Sequence, residues 1–469
     1  MLTVSEVLVF FVVSLLLIEF LKFQWMRRRF PPGPTPYPFF GNLLQMNFKV
    51  HHEHLKKMAK IHGNIFTLWF SNTPAVVLQG FHAVKEGLTA HAEDVAGSLK
   101  VLNLHQEKSV MFSNGHLWKQ QRRFGIATMR KMGVGKKDQD YLLQEVAADL
   151  VEYLQETNGT AESQKSVCAT WWKCETPQQD HRIRNSCLVL YIYIYMYVKL
   201  YNIPVYIYWS LSVLLHLSKF YCHNASYFCV EKKKWFTSFV HHNFLFNSYL
   251  QTKGDAHATY DEVNLMQTLV DLFIAGTETT ATTLMWALLY MVIYPEIQEK
   301  VQKELDAVVG CSHVFCYEDR KKLPYTNAVI HEIQRYSNII LIALPRASMK
   351  DTDLMGYHIP KNTIVLANID SVLADPEKWE TPDQFNPGHF LDEDGNFVNR
   401  EAFLPFGIGK WHRVCMGELL ARMELFVVFS TLLQAFTFTL PEGVKEVNTK
   451  FVFGSTMKPP PYQLCAIPR

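Results

Sequence analysis

Apolar residues recur with a helical period over several long stretches of the chain, whereas the alternation typical of strands is confined to short ones. Spacings of three or four residues predict helices, and spacings of two predict strands. We therefore expect helices at residues 48–62, 115–129, 138–155, 261–294, 296–309, 324–336 and 417–434. Short strands are expected at residues 65–70, 75–79 and 364–367, with strands or hairpins in 451–464. The pattern predicts a mainly α (α+β) fold with a long central helix and small β-sheets.

The N-terminal residues form the longest apolar run of the sequence. Residues 7–23 contain only three polar positions and are followed by the basic run 27–29. A cleaved signal peptide is the alternative, but its positive charge would precede the apolar core. We expect residues 1–25 to be a membrane anchor with the rest of the chain in the cytosol. Residues 26–45 are then a stiff proline-rich linker, and residues 46–469 one large domain.

Composition narrows the range of functions. The 469 residues carry a net charge of +2, with 19% charged and 48% hydrophobic residues. This balance provides no broad basic face for nucleic acid and argues against disorder. The nine cysteines are odd in number and scattered, so they indicate a reducing compartment and no disulfide framework.

The segment 163–249 fits none of these patterns. Residues 191–198 alternate tyrosine with isoleucine, methionine or valine, and a similar alternation returns at 205–208. Such a stretch is either an aggregation-prone strand or a second membrane-seeking segment. A TA dinucleotide repeat read in frame also encodes alternating tyrosine and isoleucine. We hypothesise that part of the segment is translated noncoding sequence, such as a retained intron; a spliced transcript that encodes the repeat intact would contradict this.

Cys415 lies in a turn-rich run, residues 403–418, directly before a predicted helix. Gly407 and Gly409 favour irregular backbone, and Arg413 places a positive charge two residues before the sulfur. The start of the helix adds partial positive charge, and together these features favour the thiolate. A small buried thiol is the ordinary alternative for an isolated cysteine. The surrounding residues instead predict a metal ligand.

Phe406, Gly409, Arg413, Cys415 and Gly417 follow the order Phe-x-x-Gly-x-Arg-x-Cys-x-Gly, and in this the chain resembles the cytochrome P450 family. The resemblance implies that Cys415 is the axial iron ligand of haem b (iron protoporphyrin IX). The loop is two residues longer than the family pattern, because Arg413 lies four residues after Gly409 rather than two. Either the loop bulges or the sequence is in error at this point.

A second motif lies in the middle of the predicted helix 261–294, where the sequence reads Ala-Gly-Thr-Glu-Thr-Thr from Ala275. Glycine and threonine are poor helix formers, so the cluster either accommodates packing or serves a site. The run is similar to the oxygen-binding groove of the family. By that resemblance Ala275 and Gly276 leave room beside the iron, Thr279 hydrogen-bonds dioxygen, and Glu278 supplies protons through water.

Glu332 and Arg335 lie three residues apart on the predicted helix 324–336. As residues alone they suggest a surface ion pair, worth less than about 1 kcal/mol. They also resemble the Glu-x-x-Arg signature of the family, and His389 lies in a stretch similar to its partner. The resemblance implies that these three residues lock the segment that presents the cysteine loop.

Trp118 and Arg122 are similar to a Trp-x-x-x-Arg element that binds a haem propionate, and Arg346 and Arg413 look like its companions. Arginine suits this role because its fork holds a carboxylate with two hydrogen bonds. The resemblance extends over residues 26–157 and 255–469 and is greatest to the microsomal family-2 branch. It implies the cytochrome P450 fold with an N-terminal membrane anchor.

The resemblance implies a haem-thiolate monooxygenase tethered to the endoplasmic reticulum membrane, with its catalytic domain in the cytosol. It would insert one oxygen atom of O2 into a fatty acid or xenobiotic by hydroxylation or epoxidation. Because the sequence contains no Gly-x-Gly-x-x-Gly fingerprint, electrons from NADPH are expected through NADPH-cytochrome P450 reductase, with cytochrome b5 as a further candidate partner. Expected substrate contacts, which alternatively belong to the core, are Leu99, Leu102, Leu104, Phe273, Ile339, Ile340, Leu341 and Thr456.

Two other functions remain open at this point. The chain is an inactive haem binder or a misfolded product of a faulty gene model if the lengthened loop and the anomalous segment prevent activity. Alternatively, it is a haem-thiolate isomerase that acts on peroxides without a reductase. The intact Glu278 and Thr279 pair favours the monooxygenase over the isomerase.

Overall fold

The computed structural model describes residues 4–47, 52–98, 110–111, 113–131, 134–135, 137–156, 160–162, 262–308, 310, 313–409, 413–452, 454 and 456–469. The helices are α1 Val4–Arg27, α2 His52–His62, α3 Gly80–Thr89, α4 Gly115–Lys131, α5 Lys137–Glu156, α6 Glu262–Ile293, α7 Pro295–Val308, α8 Pro324–Tyr336, α9 Ile369–Leu373 and α10 Glu418–Ala435. The strands are β1 Ile65–Phe70, β2 Thr73–Leu78, β3 Gly97–Ser98, β4 Thr160–Glu162, β5 Arg346–Ala347, β6 Thr352–Leu354, β7 Tyr357–Ile359, β8 Ile364–Ala367, β9 Phe436–Thr439 and β10 Gln463–Pro468.

The periodicity of the sequence located the long helices well. The described ends of α4 to α8 and α10 lie within two residues of the predicted ends, and α8 matches the prediction at both ends. The short elements α3, α9, β3, β4, β5, β6, β7 and β9 were not predicted, because segments of two to ten residues hold too few positions to show a period. The anomalous segment 163–249 lies outside the described residues.

The chain forms two compact units, of which the first comprises Met1–Leu104, Leu341–Pro382 and Glu401–Cys415. Its main sheet has the strand order β1-β2-β8-β5-β3. The two strands predicted at 65–70 and 75–79 are confirmed and pair with each other, with β1 antiparallel to β2, and β2 runs parallel to β8. Phe66, Leu68 and Val77 bury their side chains in one cluster with Leu55 of α2. Alternate residues of a strand share one face, and this is the face of the strands that packs against the helix.

The second unit comprises His105–Ile340, Asp383–Arg400 and Met416–Arg469. Its core is formed by α5, α6, α7, α8 and α10, and its described sheet has the order β4-β10-β9. The side-chain amide of Gln298 on α7 ties β9 to the helices, since Nε2 donates to the Phe438 carbonyl (2.9 Å) and Oε1 accepts from the Phe438 N–H (2.7 Å). The helices pack around the C-terminal half of α6, where residues 280–291 are all buried.

The N-terminal apolar run is helical over its described length, as part of the 24-residue helix α1. Within the described ranges of the chain, no helix meets both the length and the apolarity needed to cross a bilayer.

Candidate active site

The cysteine loop up to Cys415 belongs to the first unit, and Gly417 belongs to the second. The backbone N–H of Cys415 donates to the carbonyl of Phe406 (3.1 Å), which closes the loop, and the Cys415 side chain is exposed. Gly407 (φ 85°) and Gly409 (φ 126°) lie in the left-handed region that glycine adopts without strain. The two additional residues of the loop, Trp411 and His412, lie outside the described residues. The sulfur is therefore on an open surface of a loop whose shape depends on glycine.

Between Gly409 and Cys415 the structure describes two residues of this loop, Arg413 and Val414. The φ of 61° at Arg413 is uncommon for a residue with a side chain, and its Nε donates to the carbonyl of Ala96 (3.1 Å) just before β3. The hydrogen bond helps to offset the strained backbone and fixes the guanidinium beside the cysteine loop.

Arg346 is the side chain of the first unit that best indicates a missing anion. It is 5% exposed, and its Nη1 has no hydrogen-bond partner among the described residues. Burial alone lowers the pKa of its guanidinium to about 10. An uncompensated buried cation is costly, so native structures pair such groups. A carboxylate bound at Nη1 would satisfy it, and the donor set therefore fits a haem propionate.

The Ala-Gly-Thr-Glu-Thr-Thr run lies in the second unit, inside α6, which remains helical throughout. The hydroxyl of Thr279 donates to the carbonyl of Ala275 (2.7 Å), and that of Thr283 donates to the carbonyl of Thr279 (3.0 Å). These bonds satisfy threonine hydroxyls within the helix. Ala275, Gly276 and Thr279 are half-buried, so the small side chains form a partly accessible stretch of α6.

Glu278 has partners that the sequence did not predict. Its Oε1 accepts from the hydroxyl of Thr456 (3.0 Å) and lies 2.7 Å from Nζ of Lys458. The Thr456 hydroxyl also contacts that of Thr282 (3.1 Å), and Thr456 is 2% exposed. Thr456 was expected to face substrate, but its hydroxyl is bonded to Glu278 and to α6. No signal in the sequence identified Lys458, because its partner lies 180 residues away in the chain.

Glu332, Arg335 and His389 come together in the second unit, as the sequence predicted. Nε and Nη2 of Arg335 donate to the two carboxylate oxygens of Glu332 (both 2.7 Å), and Nδ1 of His389 lies 3.2 Å from Oε2. The N–H of Asn386 donates to Oε1 of Glu332 (2.8 Å), while Arg335 donates to the carbonyl of Gln384 (2.8 Å). Side chains of the ion pair are 0% and 1% exposed, which excludes the interpretation as a surface pair.

Trp118 and Arg122 lie one turn apart on α4, also in the second unit. Trp118 is 5% exposed, and the guanidinium carbon of Arg122 lies 5.7 Å from the centre of the Trp118 ring. The distance is within the range of a cation–π contact, which holds the two side chains on one face of the helix.

The remaining predicted residues differ in their burial and in whether the structure describes them. Gly417 immediately precedes α10 with φ −92°, and a Cβ there would meet nothing within 4 Å. Ile339 and Ile340 are half-buried, and Leu341 is buried. Leu99, Leu102 and Leu104 lie outside the described residues, as does the side chain of Phe273.

Comparison with known proteins identifies the class. The family model described as Cytochrome P450 matches residues 31–176 and 194–466; the unmatched residues 177–193 lie within the anomalous segment. The chain therefore belongs to the cytochrome P450 family, whose members are haem-thiolate monooxygenases. This confirms the predicted enzyme class and the predicted cofactor, haem b, bound through a cysteine thiolate.

Individual relatives belong to the predicted branch of the family. Cytochrome P450 2J2 of Homo sapiens is 38% identical over 487 residues, which cover 98% of this chain and 95% of the relative. Cytochrome P450 2C14 of Oryctolagus cuniculus is 37% identical over 490 residues, which cover 98% of this chain and 99% of the relative. The similarity to microsomal family-2 enzymes thus extends over nearly the whole chain.

Proposed function

We propose that this chain inserts one oxygen atom of O2 into a lipophilic fatty acid or xenobiotic, by hydroxylation or epoxidation, with electrons that NADPH-cytochrome P450 reductase passes from NADPH. In a hydroxylation, a C–H bond, O2, two electrons and two protons give an alcohol and water. The observation that carries the proposal is the exposed sulfur of Cys415 on the glycine-shaped loop closed by Phe406. Cytochrome b5 is proposed as a second electron donor.

The haem-holding roles are assigned by residue. We propose that the Cys415 thiolate would hold the haem iron, and that the backbone of the loop would frame it through Phe406, Gly409 and Gly417. Arg346 is assigned to a propionate because its buried Nη1 requires an acceptor. Arg413, Trp118 and Arg122 are assigned to the propionates by their similarity to the family pattern. When bound through a thiolate, haem supplies the activation of dioxygen.

Proton delivery is assigned to α6. Ala275 and Gly276 would keep side-chain bulk away from dioxygen, and the Thr279 hydroxyl, which donates to the Ala275 carbonyl in this structure, would be its hydrogen-bond donor. Glu278 accepts protons from solvent and passes them towards Thr279. The partial exposure of the Glu278 side chain, 25%, supports this role because a fully buried carboxylate would have no route to water.

The remaining residues and segments are assigned supporting roles. Glu332, Arg335 and His389 are proposed to hold the segment that leads to the cysteine loop. Substrate contacts are proposed for the apolar side chains predicted above, chiefly Ile339 and Ile340. Residues 1–25 are proposed as an anchor in the endoplasmic reticulum membrane, 26–45 as a linker, and 46–469 as the cytosolic catalytic domain. Large exposed apolar side chains on α1 support membrane association: Phe10, Phe11, Leu17, Leu21 and Trp25.

The test is the spectrum of the reduced chain with carbon monoxide. Thiolate ligation predicts a long-wavelength Soret band, which Cys415→Ala should abolish. Cys316→Ala is the matched control, because Cys316 is a free cysteine of the second unit and should keep the band. Turnover that requires NADPH and reductase supports the monooxygenase. Haem binding without the band, or conversion of a peroxide without reductase, would contradict it.

A further inference from the structure

We propose that Lys458 is a positioning residue for proton delivery, and that it holds the carboxylate of Glu278 together with Thr456. The inference rests on the proposed function, since it concerns the proton route assigned to Glu278 and Thr279. Neither Lys458 nor Thr456 has a place in the haem-holding motifs. Both belong to the short turn from Val452 to Lys458, which is anchored to its surroundings.

The backbone of this turn is fixed at several points. Val452 and Lys458 exchange backbone hydrogen bonds, with N–O distances of 2.8 and 3.1 Å. The N–H of Met457 donates to the carbonyl of Ile339 (2.9 Å), and the indole N–H of Trp286 on α6 donates to the carbonyl of Met457 (2.9 Å). The residue before Lys458 is thus bound on both sides. Lys458 therefore projects from a defined point beside α6 rather than from a free loop.

The side chains of the turn converge on one oxygen. Oε1 of Glu278 lies 2.7 Å from Nζ of Lys458 and accepts from Thr456 at 3.0 Å. Thr456 is itself held by Thr282 of α6, one helical turn from Glu278. A charged donor and a neutral donor on a single carboxylate oxygen restrict rotation of the whole carboxyl group. The turn therefore orients Glu278 relative to its neighbour Thr279 on the same helix.

The exposure of the pair suits proton transfer. The Glu278 and Lys458 side chains are each 25% exposed, whereas Thr456 is 2% exposed. On one side, Thr456 excludes water from the ion pair, which strengthens the pairing. On the other side, the pair remains in contact with water. The Glu278 carboxylate takes each proton from solvent on its water-facing side, and it is restored when that proton leaves towards the Thr279 hydroxyl.

The pairing also limits what else Lys458 does. An ammonium 2.7 Å from a carboxylate is already compensated, and it offers no free positive charge to an acidic substrate. Without Lys458 the carboxylate loses its charged donor and samples other rotamers. Protons then reach the oxygen more slowly while electrons still arrive from the reductase, so more of the reduced oxygen leaves as hydrogen peroxide.

The experiment uses the full haem-loaded chain with reductase and NADPH. Lys458→Met removes the charge at similar length, Lys458→Arg keeps it, and Lys303→Met is the matched control at an exposed lysine on α7. We expect Lys458→Met to lower product formed per NADPH about tenfold, within the range of a perturbed acid–base group, and to raise the solvent deuterium isotope effect on kcat. KM should stay unchanged, and Lys458→Arg should restore most of the yield.

A second readout does not depend on turnover. In a double-mutant cycle of Glu278→Gln and Lys458→Met, the unfolding midpoints should be non-additive, because each change removes the same pair. Additive midpoints would overturn the proposal. So would an unchanged yield and isotope effect in Lys458→Met, or a rise in KM confined to carboxylate substrates. A wild-type chain that shows the thiolate band but no NADPH-dependent turnover would instead refute the proposed function itself.

Discussion

Two glutamates of the second unit, Glu332 and Glu278, are each paired with a cation, yet their surroundings differ sharply. Glu332 is 0% exposed and both of its oxygens are bound, by Arg335 and by the N–H of Asn386. Glu278 is a quarter exposed, and its bonds to Lys458 and Thr456 share one oxygen. Surroundings therefore set what a carboxylate is able to do: a buried, fully bound one is suited to stabilising the fold, whereas a partly hydrated one has access to protons from water.

The largest expected effect breaks the buried pair. Arg335→Met leaves Glu332 without its charged partner in a site closed to water, so the free energy of unfolding should fall by about 3–5 kcal/mol. Denaturant unfolding of the purified chain measures this. Arg335→Lys is the control, because it keeps the charge but loses the two-pronged contact, and it should lie between wild type and Arg335→Met. An unchanged midpoint in Arg335→Met would show that the pair does not stabilise the fold.

The next effect concerns His331, the neighbour of Glu332 on α8. Its Nδ1 lies 2.7 Å from the Asn327 carbonyl and its Nε2 lies 2.9 Å from Nη1 of Arg422, so the neutral ring donates to one and accepts from the other. Burial, and then the charge of Arg422, lower the pKa of His331 to about 3. Since the unfolded chain binds this proton near pH 6.5, stability falls as pH drops from about 6.5 towards 3.

His331→Gln tests this dependence, because an amide can make both hydrogen bonds without titrating. Between pH 7 and pH 5, wild type should lose about 2 kcal/mol more unfolding free energy than His331→Gln, as expected for one group that titrates near 6.5 only when unfolded. The measurement is denaturant unfolding at both pH values. Parallel losses in the two proteins would mean that the buried histidine does not contribute.

The smallest effect separates stability from chemistry. Lys458→Met should change the free energy of unfolding by less than about 1 kcal/mol, because the pair is partly solvated, although its effect on product yield is large. Lys303→Met removes the partner of Glu299 in an exposed pair and should not move the unfolding midpoint measurably. If Lys458→Met destabilised the chain as much as Arg335→Met, the contrast between the two glutamates would be wrong.

Residues alone account for part of this site. Periodicity predicted the helices that carry the motifs, and the glycines, arginine and cysteine around Cys415 predicted a metal ligand. The resemblance to the family specified this residue as the ligand of haem iron. The pair Glu332 and Arg335 shows the limit, since its spacing alone suggested a surface contact. The pair is in fact buried and hydrogen-bonded to the backbone of Gln384 and Asn386, which lie about 50 residues further along the chain.

The sequence by itself determined the long helices and the glycine-rich run around Cys415, because these depend on neighbouring residues and on spacings within one element. The class of enzyme followed from the resemblance of its motifs to a known family. Only the tertiary structure decided that Glu332 is buried, that Arg346 keeps an unsatisfied donor, and that Lys458 holds Glu278. Hydrogen bonds and burial join residues far apart in the chain, and their strength depends on exclusion of water. The local sequence pattern encodes neither which distant segment packs against a residue nor how much water that segment excludes.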